Sequence, residues 1–322
     1  MRVARYVGNG EIAIVEEERP ACPPGGLVVQ TEACGLCSGE LMSWYMDRKV
    51  PHVLGHEVSG KVVESQDRRF PAGARVFPHH HAPCLHCEYC RAGKHVHCEQ
   101  WKRTKLIPGG MADFFAVPAE NLTDTWLVDD LRAIDAALIE PLACVWKSVQ
   151  TANMRPEGEQ ACVIGLGTMG ILHMLLLPER TAGYDINPDR VSWARMKGLN
   201  ASLPDSGVKA ETVFVCPGSQ AAFDSAMQIV KPGGTLVMFA PLPPGEPLLV
   251  RQSAYFSDVR IVNSYSCGPT DTERALGTIR SGKLVAEQIC SDFIGLEQLP
   301  GYYNKMKAGE ILKPMVVWNQ ES

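Results

Sequence analysis

Ala161-Cys162-Val163-Ile164-Gly165-Leu166-Gly167-Thr168-Met169-Gly170 decides the fold. Four apolar residues run into a G-x-G-x-x-G pattern, Gly165, Gly167 and Gly170, and an apolar stretch from Gly170 to Leu177 follows. This reads as a buried strand, a tight turn and a helix. Glycines at those places let a pyrophosphate approach the helix N-terminus, with Thr168 and Met169 beside it. The glycines alone would also fit a tight turn without a ligand. Asp185 argues for the ligand, because it closes a second strand, Ala182-Gly183-Tyr184-Asp185. A carboxylate there accepts hydrogen bonds from both ribose hydroxyls of NAD and repels the 2′-phosphate of NADP. Arg190 follows and can cover the adenine face.

Asp185 stands fifteen residues past Gly170, where about twenty is usual. The first helix must therefore be short, cut off by Pro178-Glu179-Arg180. Further on, Pro188 to Lys197 and Ala221 to Val230 read as helices, the second stopped by Pro232-Gly233-Gly234. Thr212 to Cys216 and Thr235 to Ala240 read as apolar strands. Strand and helix alternate, which predicts an α/β fold with a doubly wound parallel sheet. Ala201 to Glu211 is too brief for a full crossover helix, so this dinucleotide fold is trimmed. Before Leu142 the texture is different. Leu27 to Glu32 and Gly60 to Glu64 read as strands of a β-rich domain with few helical patterns. After Cys267-Gly268-Pro269, a helix from Thr270 to Ser281 leads into a tail that returns to that first domain. The expected organisation is residues 1–142 with 268–322 as one domain and 143–267 as the other.

A chain of 322 residues has room for two cores. The net charge of −5 and a pI near 6.0 argue against a nucleic-acid partner. The first residues lack an apolar leader, and Val163 to Leu177, broken by glycines and His173, is too short to cross a bilayer. A cytoplasmic protein without a membrane partner is expected. Twelve cysteines then point to metal binding or burial rather than disulfides.

Cys84, Cys87, Cys90 and Cys98 put four thiols within fifteen residues. Thiolates are soft ligands suited to tetrahedral zinc, and a site with all four positions filled is structural. The lobe 84–98 is expected to be pinned by that ion. His79, His80, His81, His86, His95 and His97 lie nearby and are expected to be spectators. Cys22, Cys144, Cys162, Cys216, Cys267 and Cys290 are scattered and expected to act as small buried hydrophobes.

A second cluster is nearer the start. Cys34-Gly35-Leu36-Cys37-Ser38-Gly39-Glu40 is followed by Leu54-Gly55-His56-Glu57. Thiol, imidazole and carboxylate are all zinc ligands. Cys34 and Cys37 could instead form a redox pair.

These parts occur together in one family. The sequence resembles the zinc-dependent medium-chain alcohol and polyol dehydrogenases, in the form of the sorbitol and threonine dehydrogenase branch. The resemblance rests on the Cys34–Glu40 run, Gly55-His56-Glu57, the four-cysteine lobe, Glu140-Pro141-Leu142, Gly165 to Gly170, and Asp185-Ile186-Asn187-Pro188-Asp189-Arg190. It implies a β-rich GroES-like catalytic domain and a Rossmann-type NAD domain, with their shared cleft holding substrate and cofactor. It implies two zinc ions per chain. Cys37 and His56 would bind the catalytic one, with Glu140 third, and Glu57 supporting or exchanging onto the metal. Cys34 would then be no ligand, and Glu40 would orient His56. The implied reaction is hydride transfer from a secondary alcohol, a polyol, cyclitol or sugar alcohol, to NAD. Threonine-type amino alcohols are the alternative substrates. A zinc-ribbon nucleic-acid-binding protein with a degenerate nucleotide fold is the alternative from another class. A dimer or tetramer is implied, assembled through Val259 to Asn263.

Two positions depart from the family. Gly39 stands where a relay Ser or Thr is usual, with Ser38 one place early, and Met42 stands where some members carry a relay histidine. The expected proton exit is therefore Glu140 or Glu57 by way of water, or a substrate hydroxyl. Trp44, Tyr45, Met46 and Trp101 are candidates for pocket wall or core.

Overall fold

The computed structural model describes residues 1–154, 158–204 and 207–318. The expected short crossover Ala201 to Glu211 thus falls partly outside the described residues. The chain divides into two compact units, Met1–Ala143 with Cys267–Ser322, and Cys144–Ser266.

The second unit is built on six parallel strands. Their order is Ala201–Ser202, Thr181–Tyr184, Ala161–Ile164, Ala210–Val215, Val230–Met238 and Arg260–Asn263. Cys162, Val163, Val213, Phe214, Val215, Leu236 and Val237 are all fully buried. Burial on both faces is why these strands read as continuous apolar runs rather than alternating ones. Ala161–Ile164 pairs with Thr181–Tyr184 on one side and Ala210–Val215 on the other. Strand order therefore reverses there, and a crevice at the carboxyl ends is the expected place for a ligand. Thr168–Leu176 is a short helix, as its spacing predicts. Pro188–Met196 starts with Pro188 in its first turn, and the Asn187 side chain accepts from the Asp189 N–H at 2.8 Å.

Two details differ from expectation. Helix Gln220–Ile229 ends before Pro232-Gly233-Gly234, and those residues lie inside strand Val230–Met238. The ladder is irregular between Ala210 and Thr212 and absorbs them there. Ala201–Ser202 is a sixth strand of two residues, too short for an apolar run to mark it.

In the first unit, Leu27–Gly35 pairs antiparallel with Glu57–Ser65 and, on the other side, with Pro314–Val317. The register sets Gly35 against both Glu57 and Met315. Cys37, His56 and Lys313 therefore leave this ladder at the same end. Arg75–Pro78 and Thr125–Leu127 pair with Pro78 against Thr125, which puts His79 and Asp124 together at the next ladder end. Asp292–Ile294 and Phe114–Val117 complete this seven-stranded sheet. Glu11–Glu16, Arg2–Gly8 and His52–Val53 form a smaller antiparallel sheet. Tyr6, Leu27, Val29, Leu54, Val58, Phe115 and Tyr303 fill the core beneath. Each such side chain contributes about 1.5–3 kcal/mol by leaving water, so the ladder ends that carry the polar cluster are rigidly backed.

Candidate active site

Cys37, His56 and Glu57 offer three ligand atoms that all lie within 4.8 Å of one another. Backbone geometry holds each of them. Cys37 caps the 3-10 turn Ser38–Leu41, and the Gly39 N–H points at its sulfur at 3.4 Å. The Glu40 carboxylate accepts from the Gly55 N–H at 2.8 Å and stands 3.4 Å from His56 Nδ1. The orienting role expected of Glu40 therefore has its geometry, and it leaves His56 Nε2 for a ligand. Glu57 is 1% exposed and receives the ammonium of Lys313, which also donates to the Leu36 carbonyl at 3.0 Å. Gly35 makes room for this pair. A Cβ there would crowd Glu57 Oε2 and stand 2.9 Å from Lys313 Cε, so a larger residue would have to displace the pair.

The electrostatics favour a cation. Burial works against protonation of His56, but the charges of Cys37 and Glu40 outweigh it and raise its pKa well above the ordinary value. Burial pushes the Cys37 thiol up, while His56 pulls it down and the charges of Glu57 and Glu140 push it up again. Excess negative charge around one imidazole is what a dication would neutralise. The donor set of thiolate, imidazole and carboxylate fits zinc.

Glu140 is placed differently from expectation. It lies in the first turn of helix Ile139–Ala152, is 5% exposed, and groups with His79 and Cys267. Glu57 is the third group beside Cys37 and His56. The reason is local: Glu57 begins the strand paired to Gly35, whereas Glu140 arrives on a separate element. His79 and Cys267, expected as a spectator and a buried hydrophobe, belong to this second cluster. Cys34 is fully buried in the core, where burial pushes its thiol well up, and it joins neither group.

In the lobe, Cys84, Cys87, Cys90 and Cys98 converge. Sulfur separations are 3.5 Å for Cys87–Cys90 and 3.9 Å for Cys84–Cys90. Thiolates on a tetrahedral zinc stand roughly 3.8 Å apart, so the four fit that ion. Leu85 adopts a left-handed φ of 63° to turn the chain between the first two. Burial opposes ionisation of Cys98, yet the N–H groups of Cys84 and Trp101 bring it down to about 6. Trp101 packs under the lobe, 2% exposed, and is core. Met46 is core as well, while Tyr45 is exposed beneath Lys49.

The glycine turn keeps space for a ligand. Gly165 has φ +88°, and a Cβ on Gly170 would stand 1.9 Å from the Gly165 carbonyl oxygen. A Cβ on Gly167 would meet nothing within 4 Å, so the N-terminus of helix Thr168–Leu176 is open. Asp185 accepts from the Leu166 N–H at 2.7 Å and the Asn187 N–H at 2.8 Å, with Arg190 3.6 Å away. A cleft of about 450 Å³, lined by Met238, Ala240, Pro241, Leu242 and Asn263, opens at the ends of the last two strands. An open helix N-terminus and a carboxylate at the switch point suit a dinucleotide.

Sequence reasoning missed Lys313, Asp124 and the partnership of His79 with Cys267. A signal existed for Lys313, a lone charge in the apolar run Ile311-Leu312-Lys313-Pro314-Met315-Val316-Val317. None existed for the others: the Pro78–Thr125 register brings Asp124 to His79, and Cys267 meets His79 from 188 positions along the chain.

Comparison with known proteins gives the same answer. Residues 23–126 match the alcohol dehydrogenase GroES-like domain. D-altritol 5-dehydrogenase of Agrobacterium fabrum is 29% identical over 325 residues, covering 95% of this chain and 96% of the relative. A zinc-binding dehydrogenase of Sinorhizobium meliloti, bound to NADP, superposes with a TM-score of 0.86 at 24% identity, over 98% of this chain and 99% of that one. Acetophenone reductase of Geotrichum candidum, in complex with NAD, gives 0.85 at 20% identity, over 100% and 98%. A GroES-like sheet and a six-stranded nucleotide fold in one chain are the fold shared with these dehydrogenases. Over nearly its whole length the chain is similar to alcohol and polyol dehydrogenases, and it is an oxidoreductase of the NAD(P)-dependent alcohol and polyol type. No described helix is long and apolar enough to cross a membrane.

Proposed function

We propose that this chain oxidises a secondary alcohol of the polyol or sugar-alcohol class by hydride transfer to NAD. The observation that carries the reading is the Cys37–His56–Glu57 cluster, backed by Glu40 and Lys313. These three residues would hold the catalytic zinc in this reading, with Glu57 in the place that the family resemblance gives to Glu140. The zinc supplies a Lewis acid that lowers the pKa of a substrate hydroxyl. The chain's own residues do the rest. Glu40 fixes the His56 ring, and Lys313 fixes one carboxylate oxygen of Glu57. Ser38 is exposed in its turn, so the proton leaves by water or by a neighbouring hydroxyl of the substrate. A polyol carries such a hydroxyl, and the similarity to D-altritol 5-dehydrogenase supports that substrate class.

In this reading Met1–Ala143 with Cys267–Ser322 is the catalytic unit and Cys144–Ser266 the nucleotide unit. Gly165, Gly167, Thr168, Met169 and Gly170 cradle the pyrophosphate. Asp185 selects NAD over NADP, with Arg190 against the adenine. The lobe holds a separate structural zinc. The protein works in the cytoplasm, where four reduced thiols persist, and as a dimer or tetramer. Tyr255 and Phe256, 81% and 76% exposed, beside edge strand Arg260–Asn263 support a second copy there.

The test is a screen of polyols, cyclitols and amino alcohols with NAD and NADP. Oxidation of polyols with NAD is expected. Exclusive use of amino alcohols, or equal use of NADP, would overturn the substrate class or the cofactor choice respectively.

A further inference from the structure

We infer that His79, Glu140 and Cys267 form a further divalent-metal site, distinct from Cys37–His56–Glu57 and from the four-cysteine lobe. Their ligand atoms lie within 4.8 Å of one another, and the residues are 0%, 5% and 0% exposed. His79 Nε2 and Cys267 Sγ are 3.5 Å apart. Nitrogen and sulfur bound to one tetrahedral zinc, at about 2.0 and 2.3 Å, stand roughly 3.5 Å apart. Imidazole, thiolate and carboxylate together select zinc over the hard cations, which prefer oxygen alone.

The shell behind His79 is that of a metal ligand. Its Nδ1 donates to Asp124 Oδ2 at 2.7 Å, which fixes the tautomer and turns the Nε2 lone pair toward Cys267. The other oxygen of Asp124 accepts from Thr272 Oγ1 at 2.5 Å and Trp126 Nε1 at 3.1 Å, so that carboxylate cannot swing away. Carboxylate–histidine pairs of this kind orient and strengthen metal-bound imidazoles.

A second observation comes from His80. Its ring lies 5.0 Å from that of His79 and 4.7 Å from that of His56. Its Nδ1 is buried and has no hydrogen-bond partner among the described residues. A buried imidazole nitrogen left in this state beside two ligand clusters points to a bound water or ion. With three protein ligands, the inferred site keeps a fourth position for water.

The test counts metal in the full-length protein, saturated with zinc and then dialysed against metal-free buffer. Parent, Cys37→Ser, Cys267→Ser and the double variant are compared. The three clusters predict three zinc ions in the parent, two in each single variant and one in the double. Two ions in both the parent and Cys267→Ser would remove the inferred site and leave the proposed function standing. Two in the parent, with one in each single and in the double, would mean one ion shared by both clusters, which also overturns the inference. Three ions in Cys267→Ser would place the extra ion elsewhere. A parent with one ion or none contradicts the proposed function itself. If Cys267→Ser does not fold, Glu140→Gln serves as the removal. Cobalt titration of the parent gives an independent readout: a third equivalent must add thiolate-to-cobalt absorption, and its failure to do so overturns the site.

Discussion

Lys313 sets its ammonium on the carboxylate of Glu57 inside a core where the two side chains are 0% and 1% exposed. Neither group has water to fall back on, so each depends on the other. Replacing Lys313 by Met strands a buried carboxylate, and breaking such a pair costs about 3–5 kcal/mol. Denaturant unfolding of the zinc-free protein, in which no metal shares the Glu57 carboxylate, measures this. The double variant with Glu57→Gln should recover most of the loss in stability, because it removes the stranded charge. A single variant as stable as the parent would show that Glu57 is not held by this contact.

His173 gives the nucleotide unit an acid limit. Its Nδ1 donates to the Met169 carbonyl at 2.7 Å, and its ring packs 4.6 Å from that of Phe214. Burial lowers its pKa to about 4, with the Met169 bond offsetting part of the effect. The unfolded chain takes up this proton near pH 6.5 and the folded chain only near 4. Stability is therefore complete above about 6.5 and lost as pH falls toward 4, by on the order of 3 kcal/mol. In His173→Asn the slope of unfolding free energy across this window should be smaller by one proton. Equal slopes in the two proteins would contradict the assignment.

Asp185 joins the glycine turn to the start of the next helix through Leu166 and Asn187, and Arg190 stands 3.6 Å away. Replacement by Ser removes the charge that opposes a 2′-phosphate and releases Arg190 toward it. A charge-assisted hydrogen bond contributes about 1.5–3 kcal/mol, so the preference for NAD over NADP in kcat/KM should fall about ten- to a hundredfold. A parent that already prefers NADP, or an unchanged ratio, would remove Asp185 as the selector.

Ser38 is exposed one residue past Cys37. Ser38→Ala should leave the single-turnover rate of hydride transfer within about a factor of two of the parent, far from the 10²–10⁴-fold usual for a lost acid–base group. A drop of several orders of magnitude would make Ser38 the relay.

Much of this was legible in the chain because the signals are local. Gly165 to Gly170, the four lobe cysteines and the Cys37/His56 pair act through short spacings, and those spacings survive folding. Glu140 was harder. Its place beside His79 and Cys267 depends on where the helix Ile139–Ala152 meets a ladder end, and sequence distance carries no such information. Lys313 was legible only as an oddity, since its partner lies 256 positions away. His79 and Asp124 meet because Pro78 faces Thr125 in the sheet, a register set by packing rather than by any motif. The two-residue strand Ala201–Ser202 is held by its neighbour Thr181–Tyr184, not by its own composition.

The most direct measurement is reduction of NAD by the zinc-loaded full-length protein with a polyol panel, run beside Cys37→Ala. The parent should form reduced nicotinamide with at least one secondary-alcohol polyol. It should slow when the carbinol hydrogen is deuterium, and Cys37→Ala should fall to background. No reduced nicotinamide with any polyol, or a Cys37→Ala protein as active as the parent, would contradict the account.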